Sequence, residues 1–537
     1  MKKRMLSALL ATIGCGCALL GGALQASPSA PVKTFGAWRV STLVPPSNFH
    51  LINGVAIGPD GYFYFASIAS ESIYRTRDFK TVEALVGPPL GKSDDLVLSP
   101  DGTIFYTTVG DGAVRRRDPD GKVRDIATGI PNVNPIVWSL DHKHLIVAQM
   151  QDGGSFWEVD PEGVKPARKI LDNIGGANAF AIDSDGMIYA PLYFKQKLVK
   201  IDPATGTVTT ILDHIEHPVT VRLAPDRSIL AVESSTGHLY RLKDGRKETL
   251  GTLPTGIDNI VVRPDGKVFA TTMGDGSITE FDLNTRRMST VYRAKLGFPT
   301  DIDVANGKIY VADFFTLRSV DPATRKITDL ARPAESKLLI PSAISTGNGY
   351  AALASEFLGY VQIVDLSNNA IVQTLTGFDK PTEAVRTRDG KIYVLQPVSG
   401  TLVRVDGDSH TVVAGGLNAP AGMADAGDGT LIVADSGSGS LVAVNLATGA
   451  RTVVKTGLGK PRAVAIGKTG YAVLDEAGGN VWWVSKATHA ATRVARNLPV
   501  GFLSKPYPRT GGIALDGERT IYVSADKTNA IYKISRR

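Results

Sequence analysis

The sequence is poor in cysteine. Its 537 residues hold two, Cys15 and Cys17, and both lie within the first 26. A chain cleaved after Ala26 has no thiol. That excludes a disulfide framework and a cysteine nucleophile. Histidine is also sparse, at eight residues, and no two stand at a metal-ligand spacing on one strand. After residue 24 no apolar run is long enough to cross a bilayer. There is no GxSxG elbow, no long basic run and no nucleic-acid motif, so nucleic acid is not an expected partner. Asp435-Ser-Gly-Ser-Gly-Ser440 looks like a nucleotide loop but joins two strands. It therefore lacks the helix N-terminus that phosphates need.

The first 26 residues stand apart. Lys2, Lys3 and Arg4 are followed by an uncharged run, Met5 to Leu24, and then by the small-residue stretch Ala23-Leu-Gln-Ala26. This reads as a secretory signal peptide, with an uncleaved anchor as the alternative, and it points to a periplasmic or secreted protein. Removing its three basic residues leaves 56 basic against 52 acidic, a balance of +4.

Glycine and proline are plentiful, at 56 and 30, and they punctuate a repeat. Asn53-Gly-Val-Ala-Ile-Gly-Pro-Asp-Gly-Tyr-Phe-Tyr-Phe-Ala-Ser67 reads as strand, tight turn, strand. The pattern returns with turns at 61, 102, 142, 186, 227, 266, 307, 349, 390, 429, 470 and 517, at steps of 39 to 47 residues. A third strand follows each hairpin, often ending in Asp (LVKIDPATG, LRSVDPAT), and then a fourth (TVTTIL, KITDLA). Four antiparallel strands per repeat make a propeller blade.

The expected fold is all-β: tandem β-propellers with twelve four-stranded blades, most naturally two six-bladed rings, with seven plus five as the alternative. The expected division is a first ring over 46–296 and a second over 297–537. The last repeat stops after three strands, near Ser535. The stretch 35–45, containing Trp38 to Val44, is placed to supply the fourth and remove a sheet edge. Leu498 to Arg509 and Arg332 to Ile340 are the longest non-repeat loops.

Inner strands line a propeller's channel, so residues at their starts ring its mouth. The first six repeats offer Asn53, Asp94, Asn134, Asn178, Val219 and Asp258 there, with Asp95, Thr220 and Asn259 adjoining. The last six offer Thr300 or Asp301, Ser342, Thr382, Ala421, Arg462 and Gly511, a ring neither acidic nor amide-rich apart from Asp301 and Glu383. Asn53, Asp94, Asn134, Asn178 and Asp258 are the candidate ligands of a divalent cation, Ca²⁺ or Mg²⁺. The alternative is a solvated polar ring. His217 opens the fifth blade beside that ring and is the candidate general base, against the reading of a loop histidine without function. Glu233 ends the same blade's second strand and is a weaker candidate. Tyr193-Phe194 and Phe314-Phe315 follow second strands and read as packing or as an apolar rim. Trp482-Trp483 reads as inter-blade packing.

Repeats such as NGVAIGPDGYFYFASIASESIYR and LNAPAGMADAGDGTLIVADSGSGSLVAVN resemble NHL repeats. They are also similar to blades of the gluconolactonase/senescence-marker family and of strictosidine-synthase-like proteins, over nearly all of residues 35–537. In the gluconolactonase family a Glu, an Asn and an Asp on different blades hold a divalent ion that polarises a lactone carbonyl. The resemblance implies Asn134 or Asn178 as the Asn and Asp258 as the Asp. The family's Glu comes from an early inner strand, where this chain has Asn53, and the doubled ring departs from these single-ring enzymes. The expectation is a metal-assisted, lactonase-like hydrolase of a small molecule. Its rivals are a non-catalytic periplasmic binding or scaffold propeller and a propeller lyase.

Overall fold

A computed structural model describes residues 30–332, 336–501 and 511–537. The signal-peptide segment, most of the loop before Thr510 and part of the loop after Arg332 lie outside the described residues. Among those described, the chain forms twelve antiparallel sheets of four strands, one of them with a short fifth, each built from strands consecutive in sequence except where the start of the chain joins the last two. We number these blades 1 to 12.

The hairpin chemistry operates as the sequence implies. In blade 1 the inner strand Val55–Ile57 pairs with Phe63–Ser67. Gly61 sits at φ 76 and closes the turn with its N–H on the Gly58 carbonyl at 2.9 Å. That φ costs glycine nothing. In blades 3 and 5 His142 (φ 54) and Arg227 (φ 64) hold the same turn position, so His142 is a scaffold residue. The DPATG segments are Asx turns between third and fourth strands: Asp202 Oδ1 accepts the Ala204 N–H at 2.9 Å.

The chain divides into two compact units. One spans Asn48–Ala294, and the other joins Ser27–Ser47 to Lys295–Arg537. The first holds blades 1 to 6 and the second blades 7 to 12. Within each, adjacent blades bury one apolar cluster between them, and the last pair closes a ring. Phe269 and Ile278 of blade 6 pack on Phe49, Phe63 and Phe65 of blade 1. Ala514, Tyr522 and Ile531 of blade 12 pack on Ile302, Ile309 and Val311 of blade 7. Each unit is thus a closed six-bladed propeller.

The second ring is completed by the start of the chain. Strand Trp38–Val44 pairs antiparallel with Ala530–Arg536, from Trp38↔Arg536 to Val44↔Ile531, with a bulge after Thr42. Leu43 and Val44 are buried between blades 12 and 7. Lys33–Thr34 adds a short fifth strand to blade 11.

Acids that end second strands have a common task. Asp313 accepts the Gly297 and Phe298 N–H groups at 2.9 and 2.6 Å, Asp435 that of Asn418 at 2.7 Å, and Asp475 that of Lys460 at 2.9 Å. Each fixes the loop that enters its own blade's inner strand. Asp435 also accepts the Ser438 hydroxyl at 2.6 Å, so the Gly-Ser loop is held as scaffold. Trp482 and Trp483 pack against the cores on either side of blade 11. Phe314 is fully buried against Phe298 and is no rim residue.

Candidate functional site: the mouth of the first channel

The inner strands of blades 1 to 6 approach one another closely. Gly54 donates to the Asp94 carbonyl at 2.7 Å, and a Cβ on Gly54 would lie 2.5 Å from that oxygen and 2.8 Å from the Asp95 Cα. Glycine is required here by close approach rather than by φ. Thr271 of blade 6 donates its hydroxyl to the Asn53 carbonyl at 2.5 Å, and Thr107 of blade 2 donates to the Asn134 carbonyl. These threonines fix the starts of neighbouring inner strands around the axis.

The predicted ring separates into two kinds of residue. Some spend their side-chain oxygens on backbone. Asn178 Oδ1 accepts the Ala179 N–H at 2.8 Å. Asp95 accepts Leu96 N–H at 3.0 Å, Ile136 N–H of the next blade at 3.4 Å, and the Asn259 amide at 3.2 Å. Asn53 Oδ1 accepts the Ile68 N–H at 3.2 Å, while its amide faces Met273 Sδ and flanks Asp258.

Others have no such engagement. The buried Asp94 carboxylate accepts no hydrogen bond from any described residue. Burial first, and then Asp258 and Asp95, hold it well above the usual carboxylate range. Asp258 is half-buried at the mouth. Burial and then Asp95 push it up to about 7, against some relief from Asn53. Asn134 Oδ1 is buried without a partner. Two carboxylates with raised affinity for a proton, and an orphaned amide oxygen on the inner strand of blade 3, are hard, oxygen-only donors. That chemistry fits Ca²⁺ or Mg²⁺ and fits softer metals poorly. The donor set is small: no group of three or more His, Cys, Asp or Glu poised for a metal occurs among the described residues.

The aromatic residues above the ring matter more than the sequence indicated. Tyr193, after the second strand of blade 4, packs against the core shared by blades 5 and 6. Burial and then Asp258 raise its phenol. The His217 ring lies 5.0 Å from the Tyr193 ring at 33°. His217 is half-buried, and burial lowers its imidazole despite the Glu216 and Glu233 carboxylates. It is therefore neutral at pH 7 and able to take a proton. No described residue hydrogen-bonds its ring. Glu233 belongs elsewhere: it accepts the Glu216 N–H at 2.8 Å and the Tyr240 hydroxyl at 2.7 Å within its own blade.

Alignment of strand starts also passed over Arg222, four residues beyond Pro218. Its guanidinium donates to Asn259 Oδ1 at 2.7 Å and to the Val221 and Phe180 carbonyls at 3.0 and 3.2 Å. Its charge opposes that of Asp95.

The second channel corrects one expectation. It is acidic: Asp301, Asp303 and Glu383 gather there with Arg462. Asp303 lies one pleat further along the same strand as Asp301, so a comparison of strand starts does not count it. Burial raises Asp301 to about 7 and holds Glu383 well above the usual carboxylate range, with Arg462 opposing both. Asp301 accepts the Ile302 and Ile344 N–H groups at 2.9 and 3.0 Å. Asp303 accepts those of Val304 and Thr346 at 2.7 and 2.6 Å. These carboxylates tie blade 7 to blade 8.

No family model matches the chain, and no curated relative does. Solved structures do resemble it. The GH74 xyloglucanase from Xanthomonas campestris is 12% identical over 93% of this chain and 100% of its own, at a TM-score of 0.47. The extracellular domain of a protein described as a one-component system from B. thetaiotaomicron is 11% identical over 93% and 82%, at 0.32. A protein described as a gluconolactonase is 14% identical over 48% of this chain and 94% of its own, at 0.37. No helix among the described residues is long and apolar enough to cross a membrane.

Proposed function

We propose that the first propeller binds a divalent cation, Ca²⁺ or Mg²⁺, at the mouth of its channel. We propose further that this exported protein, periplasmic or secreted, is a lactonase-like hydrolase of a small molecule. The observation that carries the reading is the Asp94–Asp258 pair, together with the orphaned Asn134 oxygen at the start of the next blade's inner strand. Two carboxylates that repel one another, one buried and one half-buried, with no basic side chain against either among the described residues, gain most from a cation.

Asp94, Asp258 and Asn134 would hold the ion, with Asn53 supporting Asp258. A bound divalent ion supplies Lewis acidity toward a carbonyl oxygen. His217, neutral and with no hydrogen bond to its ring from any described residue, accepts the proton of the attacking water. Its left-handed backbone (φ 50) and the Ser234 N–H on its carbonyl at 3.1 Å fix where the ring stands.

Elemental analysis and calorimetric titration of purified protein test the binding. The expected result is one Ca²⁺ or Mg²⁺ per chain, lost in Asp94→Asn and Asp258→Asn. Protein that binds neither ion defeats the reading. A non-catalytic binding propeller is the second reading, supported by the commitment of Asn178 and Asp95 to backbone. A cation-loaded protein inert toward a panel of lactones and esters selects it.

A further inference from the structure

We infer that the mouth of the first channel selects an uncharged ligand with a flat ring, which it stacks against a wall made by Tyr193 and His217. The inference rests on the reading of this mouth as a ligand site.

The wall is constructed. Gly176 leaves room for Phe194: a Cβ at 176 would lie 2.4 Å from the Phe194 ring. Phe194 meets Tyr193 edge to face, with centroids 5.4 Å apart at 75°. The Tyr193 N–H donates to the Gly176 carbonyl at 3.0 Å. Tyr193 in turn carries His217, 5.0 Å away. Tyr193 and His217 are both half-buried, so neither residue is wholly enclosed by the fold. Backing of this kind orders an aromatic face in advance, which lowers the entropic cost of stacking a ligand on it.

Charge narrows the class. Asp94 and Asp258 act on one another and Asp95 acts on both, and Glu216 and Glu233 act on His217. The cations nearby are committed: Arg222 to Asn259 and two carbonyls, and Lys195 to the Ile174 carbonyl at 2.6 Å. A carboxylate or phosphate on the ligand meets repulsion without a donor fork to offset it. A divalent ion together with Arg222 balances the three channel carboxylates, so a positively charged ligand gains nothing either.

The test measures binding rather than turnover, with lactams that resist hydrolysis. Isothermal titration compares 3,4-dihydro-2-quinolinone, its carboxylated derivative, and 2-piperidone, which lacks the fused ring, in protein supplied with Ca²⁺. The fused ring is expected to bind about tenfold more tightly than 2-piperidone, and the carboxylate at least about tenfold more weakly than its parent. Tyr193→Phe keeps the preference. Tyr193→Leu, which fills the same core with a non-planar side chain, reduces it to about twofold. Equal affinity for the two neutral lactams, tight binding of the carboxylate, or an unchanged preference in Tyr193→Leu overturns the inference. If ring preference persists in protein that binds no divalent ion, the hydrolase reading fails and the wall stands. If metal binding and lactone hydrolysis hold without ring preference, the wall alone fails.

Discussion

Asp258→Asn is the most informative single perturbation. It keeps the shape of the side chain and removes the charge. The folded protein holds this carboxyl at about 7, against 3.8 for an unburied one. A folded-state value raised above the unfolded one means that the native state binds the extra proton. Stability therefore falls as pH rises from about 4 to 7. The full displacement corresponds to about 4 kcal/mol. Asp258 stands half-buried at a solvated mouth and shares its titration with Asp94, so about 1–2 kcal/mol is expected. Urea denaturation at pH 4, 6 and 8 in EDTA reads this out. The variant is expected to match the native chain at pH 4 and to exceed it by that amount at pH 8. Calcium inverts the order: at a hundred times its Kd the ion stabilises native protein by about 2.7 kcal/mol and the variant by almost nothing. A variant less stable than native protein at pH 8 in EDTA would show the carboxylate already stabilised within the fold. Equal calcium shifts in both proteins would remove Asp258 from the ion site.

Four further outcomes follow from the same geometry. Gly54→Ala drives a Cβ into the Asp94 carbonyl and is expected to cost about 1–3 kcal/mol, whereas Gly274→Ala, with open space at its Cβ, shifts the melting temperature little. Asp313→Ala takes from the buried Arg318 the carboxylate 2.7 Å away, leaving it Asp329 at 2.9 Å and the Lys295 carbonyl, and leaves the Gly297 and Phe298 N–H groups unmet, at about 1–3 kcal/mol; Asp475→Ala, whose carboxylate makes no ion pair with a buried arginine, is expected to cost less by the same denaturation assay. A chain beginning at Asn48 leaves blade 12 with three strands and bares Tyr522 and Ile531; limited proteolysis is expected to cut the second unit while the first survives. Affinity for Ca²⁺ is expected to fall below pH 7 as Asp258 and Asp94 take up protons, and a titration that is flat between pH 5 and 8 would contradict the assigned ligands.

The fold was legible because it repeats. Twelve turn signals at near-constant spacing outweigh any single uncertain strand, and the three-strand ending pointed to Trp38–Val44 as the missing partner. The site was legible only to the level of one position per blade. Asp94 and Asp95 are adjacent in sequence, and no composition rule separates them. Their roles diverge because successive strand residues face opposite ways: Asp95 turns to the N–H groups of Leu96 and Ile136, while Asp94 is left facing Asp258. Tyr193 was visible as a residue beyond a second strand, but its reach over two blades depends on the fold of the Gly175-Gly176 segment below it. Arg222 lies too deep in its strand for a comparison of strand starts to find.

The two channels show why a count of acids is a weak guide to function. Each gathers three carboxylates and one arginine, and by formal charge they are equal. In the second, Asp301 and Asp303 take four backbone N–H groups between them, and Glu383 accepts that of Ala384 at 3.2 Å. Each of these acids stitches the start of an inner strand, and a cation there would compete with hydrogen bonds already made. In the first channel Asp95 performs that stitching alone, and Asn178 and Asn259 perform it without charge. Amides in place of acids satisfy the same N–H groups and leave Asp94 and Asp258 without a structural task. Two carboxylates, one buried and one half-buried, that do nothing for the backbone cost stability at neutral pH. Their presence at the one mouth that also carries an ordered aromatic wall is what directs the functional reading there.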